Sequence, residues 1–185
     1  MVSTNNLKNG MTLKIDDKLW KVEYFQHVKP GKGPAFVRTK LKGIPDGKNV
    51  DRTFRAGEDV EQAIVTRSTL QYLYQEGDAY VFMDTTTYDQ INVAASVIAD
   101  AMKWLKESDT VELVFHDGEV IDYDLAPNVI LEITQTEPGL AGDRASGATK
   151  PAVLETGAEI QVPLFLNIGE SVKVDTRTGD YVSRA

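Results

Sequence analysis

Short turn signals recur along the whole chain and separate segments that are rich in β-branched and aromatic residues. The signals are Asn9-Gly10, Asp16-Asp17, Asp46-Gly47, Glu76-Gly77-Asp78, Asp117-Gly118 and Thr178-Gly179. Asparagine or aspartate before glycine favours the tight turns of β-hairpins, because both positions tolerate positive φ. The strand-like segments are residues 19–28, 35–42, 79–84, 111–116 and 120–125. This pattern predicts an all-β protein built from small barrels.

Two further features of the sequence predict a short helix and a division into three domains. Apolar residues in 94–106 follow helical spacing, so we expect one short helix there. Residues 1–63 contain 12 basic and 8 acidic side chains, residues 64–127 contain 3 and 12, and residues 128–185 contain 5 and 8. Because the composition changes near residues 64 and 128, we predict three domains, 1–63, 64–127 and 128–185.

Composition excludes several kinds of chemistry. The chain has no cysteine, which excludes disulfides, thiolate nucleophiles and cysteine-based zinc sites. His27 and His116 lie outside any Gly-x-Ser-x-Gly motif, and we interpret both as strand-end residues. Residues 43–48 are one residue short of a phosphate-binding loop, and the acidic residues of 117–124 fit the surface of a hairpin. We therefore expect no catalytic residue, metal or cofactor.

The chain shows no membrane or export signal. It lacks an apolar run of about 18 residues, and its start, MVSTNNLKNG, lacks the charged-then-apolar layout of a secretory signal. We therefore expect a cytoplasmic protein with no membrane partner.

A basic stretch stands out in a chain whose net charge is −8. Residues 29–55 contain eight basic and only two acidic side chains. Within it, Pro30, Gly31, Gly33 and Pro34 bracket Lys32 in a narrow turn from which the lysine alone projects. An ammonium group suits phosphate oxygens and ribose hydroxyls, so the turn and its flanking cations predict an RNA-facing tip. The cations expected to face RNA are Lys29, Arg38, Lys40 and Lys42.

Two other functions compete with RNA binding. An enzyme would need a nucleophile, a metal cluster or a nucleotide loop, and the sequence offers none of these. A β-barrel adaptor that binds protein would explain the barrels but would leave the basic stretch without a role. A solvated charged face and a merely polar hairpin tip are the simpler interpretations of the same residues.

Three long segments resemble bacterial elongation factor P. They are VKPGKGPAFVRTKLK at residues 28–42, the Lys-Pro-Ala segment that continues to Gly169 at residues 150–169, and KVDTRTGDYVSR at residues 173–184. Residues 72–74 and 103–105 also resemble positions of this family. The resemblance spans the whole chain, with the segments in the family's order.

The resemblance implies both a fold and a function. The implied fold is an SH3-like, KOW-type barrel followed by two OB-fold barrels, with an L-shaped outline like that of tRNA. The implied function is that of a translation elongation factor, related to the archaeal and eukaryotic hypusine-bearing factor. Such a factor binds the ribosome next to the P-site tRNA and relieves stalling at consecutive prolines. Ribosomal RNA and a ribosomal protein near the exit site are further implied partners.

The resemblance also assigns roles to residues. Lys32 corresponds to the family's tip residue, which positions the CCA end of the tRNA. Gly142, Asp143, Arg144 and Ala145 correspond to the loop that faces the mRNA codon, with Arg144 where many members have threonine. Tyr181 and Arg184 correspond to a C-terminal pair that contacts tRNA.

Many relatives modify the tip residue, which makes Lys32 a candidate modification site and a modifying enzyme a candidate partner. Our hypothesis is that Pro30 and Pro34 stiffen the tip enough for an unmodified lysine to function. We expect the intact mass of protein purified from its native host to equal the mass of the unmodified chain. An adduct that peptide mapping locates on Lys32 would contradict this hypothesis.

Overall fold

The computed structural model describes residues 1–44, 46–139 and 148–185. Within these residues, sixteen β-strands form three sheets, and helical structure is confined to a few short segments. The prediction of an all-β protein is therefore confirmed. The predicted turns also form, since Gly10, Gly47, Gly77, Gly118 and Gly179 all have positive φ.

The first sheet has six strands, and the N-terminal third of the chain forms it. They are β1 (Val2–Ser3), β2 (Thr12–Ile15), β3 (Lys18–Val28), β4 (Phe36–Ile44), β5 (Asn49–Arg55) and β6 (Asp59–Gln62). A 3₁₀ turn at Thr4–Asn6 follows β1. The strand order is β1-β6-β2-β3-β4-β5. Leu13, Val22, Val37 and Leu41 lie at the centre of its core.

The second and third sheets have five strands each. The second contains β7 (Thr66–Glu76), β8 (Ala79–Asp84), β9 (Gln90–Ala94), β10 (Thr110–His116) and β11 (Glu119–Asp124). The third contains β12 (Asn128–Thr136), β13 (Thr149–Leu154), β14 (Glu159–Pro163), β15 (Ser171–Asp175) and β16 (Tyr181–Arg184).

These two sheets share one topology. In each, the first strand is central, the second and third strands lie on one side, and the fourth and fifth lie on the other. In the third sheet, Asn128–Glu132 of β12 pairs with β15, while Ile133–Thr136 pairs with β13 in a ladder that is irregular between Ile133 and Gln135. A first strand shared between two ladders lets five strands curl into a small barrel of the OB type.

The chain forms two compact units. One contains Met1–Ser68 and Leu113–Asp122, and the other contains Thr69–Glu112 and Tyr123–Ala185. In the first unit, the Lys21 ammonium lies 3.6 Å from the Asp122 carboxylate, and His116 Nδ1 lies 3.0 Å from the carbonyl oxygen of Ile64. The domain boundaries after residues 63 and 127 stay predictions. The last strand of the first sheet ends at Gln62, and the last strand of the second sheet ends at Asp124.

The predicted helix over 94–106 is wrong as a continuous element. The structure has one α-helical turn, α1 (Ala95–Ile98), and then a separate 3₁₀ turn at Ala101–Lys103. No side chain caps α1 at its N-terminus, and the β-branched Val97 and Ile98 within it lower its helix propensity. The Trp104 N–H then bonds to the carbonyl of Ala101, three residues back, which tightens the last turn. No helix within the described residues is long and apolar enough to cross a membrane.

Trp104 belongs to the core of the third sheet although it precedes that sheet in sequence. Its side chain is 8% exposed and joins a cluster that includes Leu131, Ile133 and Leu154. A Cβ atom built on Gly179 would lie 3.6 Å from the indole ring, so the turn before β16 passes close to the ring. The same segment is held by Thr156 Oγ1, which donates a 2.5 Å hydrogen bond to the Lys103 carbonyl. Tertiary packing of Trp104 thus explains why the helix stops.

We expect Trp104→Ala to lower the free energy of unfolding by about 3–5 kcal/mol, because the substitution removes a buried indole and leaves a cavity. The measurement is a urea titration followed by far-ultraviolet circular dichroism. Trp104→Phe retains part of the ring volume and should cost less. An unchanged unfolding midpoint in Trp104→Ala would show that the indole does not support the core.

Candidate nucleic-acid interface

The predicted tip lies at the end of the β3–β4 ladder, in the loop that joins the two strands. The two strands pair antiparallel from Leu19 opposite Ile44 to Val28 opposite Phe36, as the segments 19–28 and 35–42 predict. The outer strand β5 pairs with β4 from Lys42 opposite Asn49 up to Phe36 opposite Arg55. A three-stranded ladder therefore supports the tip to its base, and only residues 29–35 extend beyond it.

Lys32 is exposed at the end of this loop, and so are Pro30, Gly31, Gly33 and Pro34. Gly33 has a φ of +100°, a conformation that side-chain-bearing residues rarely adopt, and it precedes a proline that restricts it further. Gly31 has no such φ, and a Cβ atom there would meet only open space. Of the two glycines, Gly33 is thus the one whose conformation the turn requires. Lys32 forms no hydrogen bond or ion pair with any described residue.

A stripe of three cations runs along the exposed face of β4, and we call it the cationic stripe: Arg38, Lys40 and Lys42. Burial along β4 alternates strictly, with Val37, Thr39 and Leu41 inside and the stripe outside. Side chains of a strand alternate between its two faces, so the three cations point the same way. The Arg38 guanidinium lies 5.8 Å from the centroid of the Phe36 ring. The predicted RNA-facing residues of β4 are therefore brought together.

Neighbouring strands widen this charged face. Lys21 is paired with Lys42, Tyr24 with Lys40, and Arg55 with Phe36 at the base of the tip. Directly paired residues share one face, so the two additional cations and the 52% exposed Tyr24 border the cationic stripe. Asp51, paired with Lys40, is the carboxylate in register with the stripe. An exposed aromatic among cations suits nucleic acid, because it can stack on a base or a ribose.

Sequence reasoning missed Tyr24 because of a β-bulge. The ladder shifts between Val22 and Tyr24, which leaves Glu23 as the extra residue. Simple alternation from the buried Val22 would place Tyr24 in the core, but the bulge turns it to the exposed face and turns Phe25 inward. The signal that could have found it is the acidic Glu23 within the otherwise apolar segment 22–25.

Two other basic residues of the stretch 29–55 lie elsewhere. Arg52 faces the opposite side of the sheet, where its guanidinium lies 5.3 Å from the Phe54 ring centroid and 3.9 Å from the Asp16 carboxylate. Lys48 lies in the β4–β5 turn, where its N–H donates to Asp46. Lys29 is exposed directly after β3 and lines a pocket of about 440 Å³ at the base of the tip.

The predicted C-terminal pair belongs to the second unit. Tyr181 is half-buried and packs against the core of the third sheet, whereas Arg184 is exposed. The turn before them is held by Asp175, to which the Arg177 guanidinium donates through Nε and Nη2. These side-chain bonds, followed by a bond from the Arg177 N–H, lower the pKa of the Asp175 carboxyl. The predicted codon-facing loop, Gly142, Asp143, Arg144 and Ala145, lies outside the described residues.

Other side chains that could support chemistry have structural roles. His27 lies near the end of β3 and His116 ends β10, as predicted for strand-end residues. The hairpin predicted for 117–124 also forms, as β10 and β11 joined at Asp117 and Gly118. Tyr72 is buried against Phe82, and this burial, with the nearby Tyr80 and Glu107, raises the pKa of its phenol. Over the described parts of the chain, no group of three His, Asp or Glu side chains could hold a metal ion.

Family models match the chain in three consecutive parts. Residues 3–60 match the KOW-like domain of elongation factor P, residues 65–123 match its OB domain, and residues 129–184 match its C-terminal domain. The three matches cover the three sheets in order and confirm the predicted fold class of one KOW-type and two OB-type barrels. The class of protein that the fold and these family matches define is the translation elongation factors.

Curated relatives give the same result. Elongation factor P of Acidothermus cellulolyticus is 58% identical over 185 residues, which cover 100% of this chain and 99% of that relative. Elongation factor P of Kocuria rhizophila is 57% identical over 184 residues, which cover 100% of this chain and 98% of that relative. The chain belongs to the elongation factor P family.

A solved structure of an archaeal protein is also similar. Eukaryotic translation initiation factor 5A from Methanococcus jannaschii aligns with a TM-score of 0.55 and 26% identity. The alignment covers 67% of this chain and 92% of that chain. The resemblance to this second factor, implied by the sequence, is therefore confirmed.

We expect each substitution Arg38→Ala, Lys40→Ala and Lys42→Ala to weaken binding to tRNA in solution without unfolding the chain. Each lost phosphate contact should also lower the slope of log K against log salt by about 1. Filter binding across a salt series measures both quantities. The control is Lys8→Ala, which removes an exposed lysine outside the stripe and should leave the slope unchanged. Equal slopes in all four variants would refute an RNA-facing stripe.

Proposed function

We propose that the chain binds the ribosome next to the P-site tRNA and promotes peptide-bond formation at consecutive prolines, which relieves stalled ribosomes. In this proposal Lys32 contacts the CCA end of that tRNA and holds it in position for attack. The proposed partners are the ribosome, the P-site tRNA, and ribosomal RNA and protein near the exit site, all of them in the cytoplasm. The observation that carries the proposal is an exposed, unpaired lysine at the end of a basic three-stranded ladder.

The ladder supplies the rigidity that positioning requires. Backbone hydrogen bonds hold β3, β4 and β5 together up to Phe36, so seven residues carry all of the tip's freedom. Pro30 and Pro34 fix φ at two of these seven residues. A tip with little freedom loses little conformational entropy on binding, and more of the contact energy therefore orients the tRNA.

The charge distribution favours RNA at this surface and disfavours it elsewhere. The cationic stripe attracts phosphates next to the tip, while residues 64–127 contain twelve acidic and three basic side chains. Local fields, not net charge, decide where a polyanion binds. A chain with a net charge of −8 can therefore bind RNA through one face.

The proposed mechanism is positional and needs no proton transfer or covalent step by the protein. Proline is a poor acceptor and a strained donor in peptide-bond formation, so its reactants spend more time misaligned. Holding the CCA end in attack geometry recovers the entropy lost to those misaligned states. Each tenfold gain in rate requires only about 1.4 kcal/mol. One ammonium group and a few backbone contacts can supply an energy of that size.

Two further contacts belong to the proposal by family membership. The loop containing Gly142, Asp143, Arg144 and Ala145 faces the mRNA codon, and Tyr181 with Arg184 contacts the tRNA. A modifying enzyme becomes a further partner only where Lys32 carries an adduct, which the intact-mass measurement decides. Separate contacts on one tRNA restrain its position more than a single contact does, because the second contact forms at high effective concentration.

We expect the wild-type chain to relieve the pause in an in vitro translation of a message with three consecutive proline codons. Lys32→Ala should slow passage through the prolines by about tenfold or more, which corresponds to about 1.4 kcal/mol of lost transition-state stabilisation. The rate of full-length product formation measures this effect. Equal relief by Lys32→Ala, or no relief by the wild-type chain, would refute the proposal.

The two glycines of the tip offer a matched control for orientation. Gly33→Ala should impair relief, because alanine at a φ of +100° forces the loop to rearrange and redirects Lys32. Gly31→Ala makes the same chemical change where φ is not positive and the space is open, and it should be tolerated. Equal activity of the two variants would show that the lysine needs charge alone and no fixed direction.

A further inference from the structure

The loop between β14 and β15 is fixed to the core of the third sheet while it displays apolar side chains outward. Leu166 is fully buried in that core. The Gly169 N–H donates to the Ile133 carbonyl at 2.9 Å, and the Asn167 N–H donates to the Glu170 carboxylate at 2.7 Å. Phe165, next to the buried leucine, is nevertheless 57% exposed.

This loop holds the side chain of Arg184 on two sides. The Arg184 Cζ atom lies 4.7 Å from the centroid of the Phe165 ring, and Arg184 Nη2 lies 3.3 Å from Glu170 Oε1. Glu170 is itself fixed, because its other carboxylate oxygen accepts the Asn167 N–H. Arg184 is anchored through β16, where it is paired with Val172. An exposed guanidinium is thus held by a ring and a carboxylate that the loop keeps in place.

Such a guanidinium is suited to a phosphate. The side chain of Arg184 remains 56% exposed despite both contacts, and a guanidinium presents five N–H donors in a planar fork. The described ion pair uses one of its three nitrogen atoms, which leaves the donors of the other two available to a ligand. A free arginine would lose rotamer entropy when it bound a phosphate, whereas a stacked arginine has already lost most of that freedom.

We propose that Phe165 is a positioning residue for RNA binding, which holds the Arg184 guanidinium in the orientation that receives a backbone phosphate of the tRNA. This inference rests on the proposed function, in which Arg184 contacts tRNA. The occupant is a phosphate group because the exposed part of the site is a planar donor fork. Phe165 acts through Arg184 and does not bind the RNA itself.

The test is a double-mutant cycle on the full chain, with ribosomes stalled at consecutive prolines as the binding partner. Phe165→Ala should raise Kd by about two- to fivefold, the range expected when an exposed cation–π contact is lost. In an Arg184→Ala background the same change should have no further effect, because Phe165 acts through the arginine. Phe165→Trp keeps an aromatic face and should restore wild-type affinity.

Ile168→Ala is the matched control, because Ile168 is an exposed apolar residue of the same loop and has no aromatic ring to stack on the guanidinium. It should bind like the wild-type chain, and thermal unfolding should show that every variant is folded. A Kd unchanged by Phe165→Ala, or raised equally with and without Arg184, overturns this inference alone. A wild-type chain that does not bind the stalled ribosomes overturns the proposed function as well.

Discussion

The pairing of β4 with a strand on each side is the constraint on which the candidate site depends. Val37, Thr39 and Leu41 are buried on one face of β4, and the Thr39 hydroxyl donates a 2.6 Å hydrogen bond to the Arg52 carbonyl of β5. A slip of one residue would bring charged side chains into the core, so the register is strongly fixed. With one face committed to the core, the cationic stripe has no alternative to the exposed face, and the tip is held at the end of the same ladder.

The two compact units meet different physical demands. In the first, a basic face and a short loop are displayed on a small apolar core. In the second, the third sheet recruits Trp104 from the preceding segment, and its rigid β14–β15 loop in turn holds Arg184. Both candidate contact points therefore have the same construction: an exposed cation whose supporting backbone is fixed by buried apolar residues. Such a construction suits a protein that holds a bound partner in a fixed orientation.

Local features were predictable from sequence, and features that depend on tertiary contacts were not. Turn chemistry and alternation predict β3, β4 and the tip around Lys32, because these follow from residue-level preferences. The continuous helix over 94–106 fails as a prediction because Trp104 packs into the core of the third sheet, whose other residues come later in the sequence. The exposed position of Tyr24 depends on the bulge at Glu23, and the contact of Phe165 with Arg184 joins residues far apart in sequence. Residue chemistry alone did not decide between RNA binding and the simpler interpretations, which were a solvated charged face and a polar hairpin tip. The resemblance to elongation factor P supplied the functional context.

The central claim is that Lys32 lies beside the CCA end of the P-site tRNA when the chain acts. The most direct measurement is a cryo-electron microscopy reconstruction of the full chain bound to a ribosome stalled at consecutive prolines. The account predicts density for the tip with the Lys32 ammonium within hydrogen-bonding distance, about 3 Å, of the terminal nucleotides, and the cationic stripe along the tRNA backbone. A bound chain whose tip points away from the tRNA, with the stripe exposed to solvent, would contradict it.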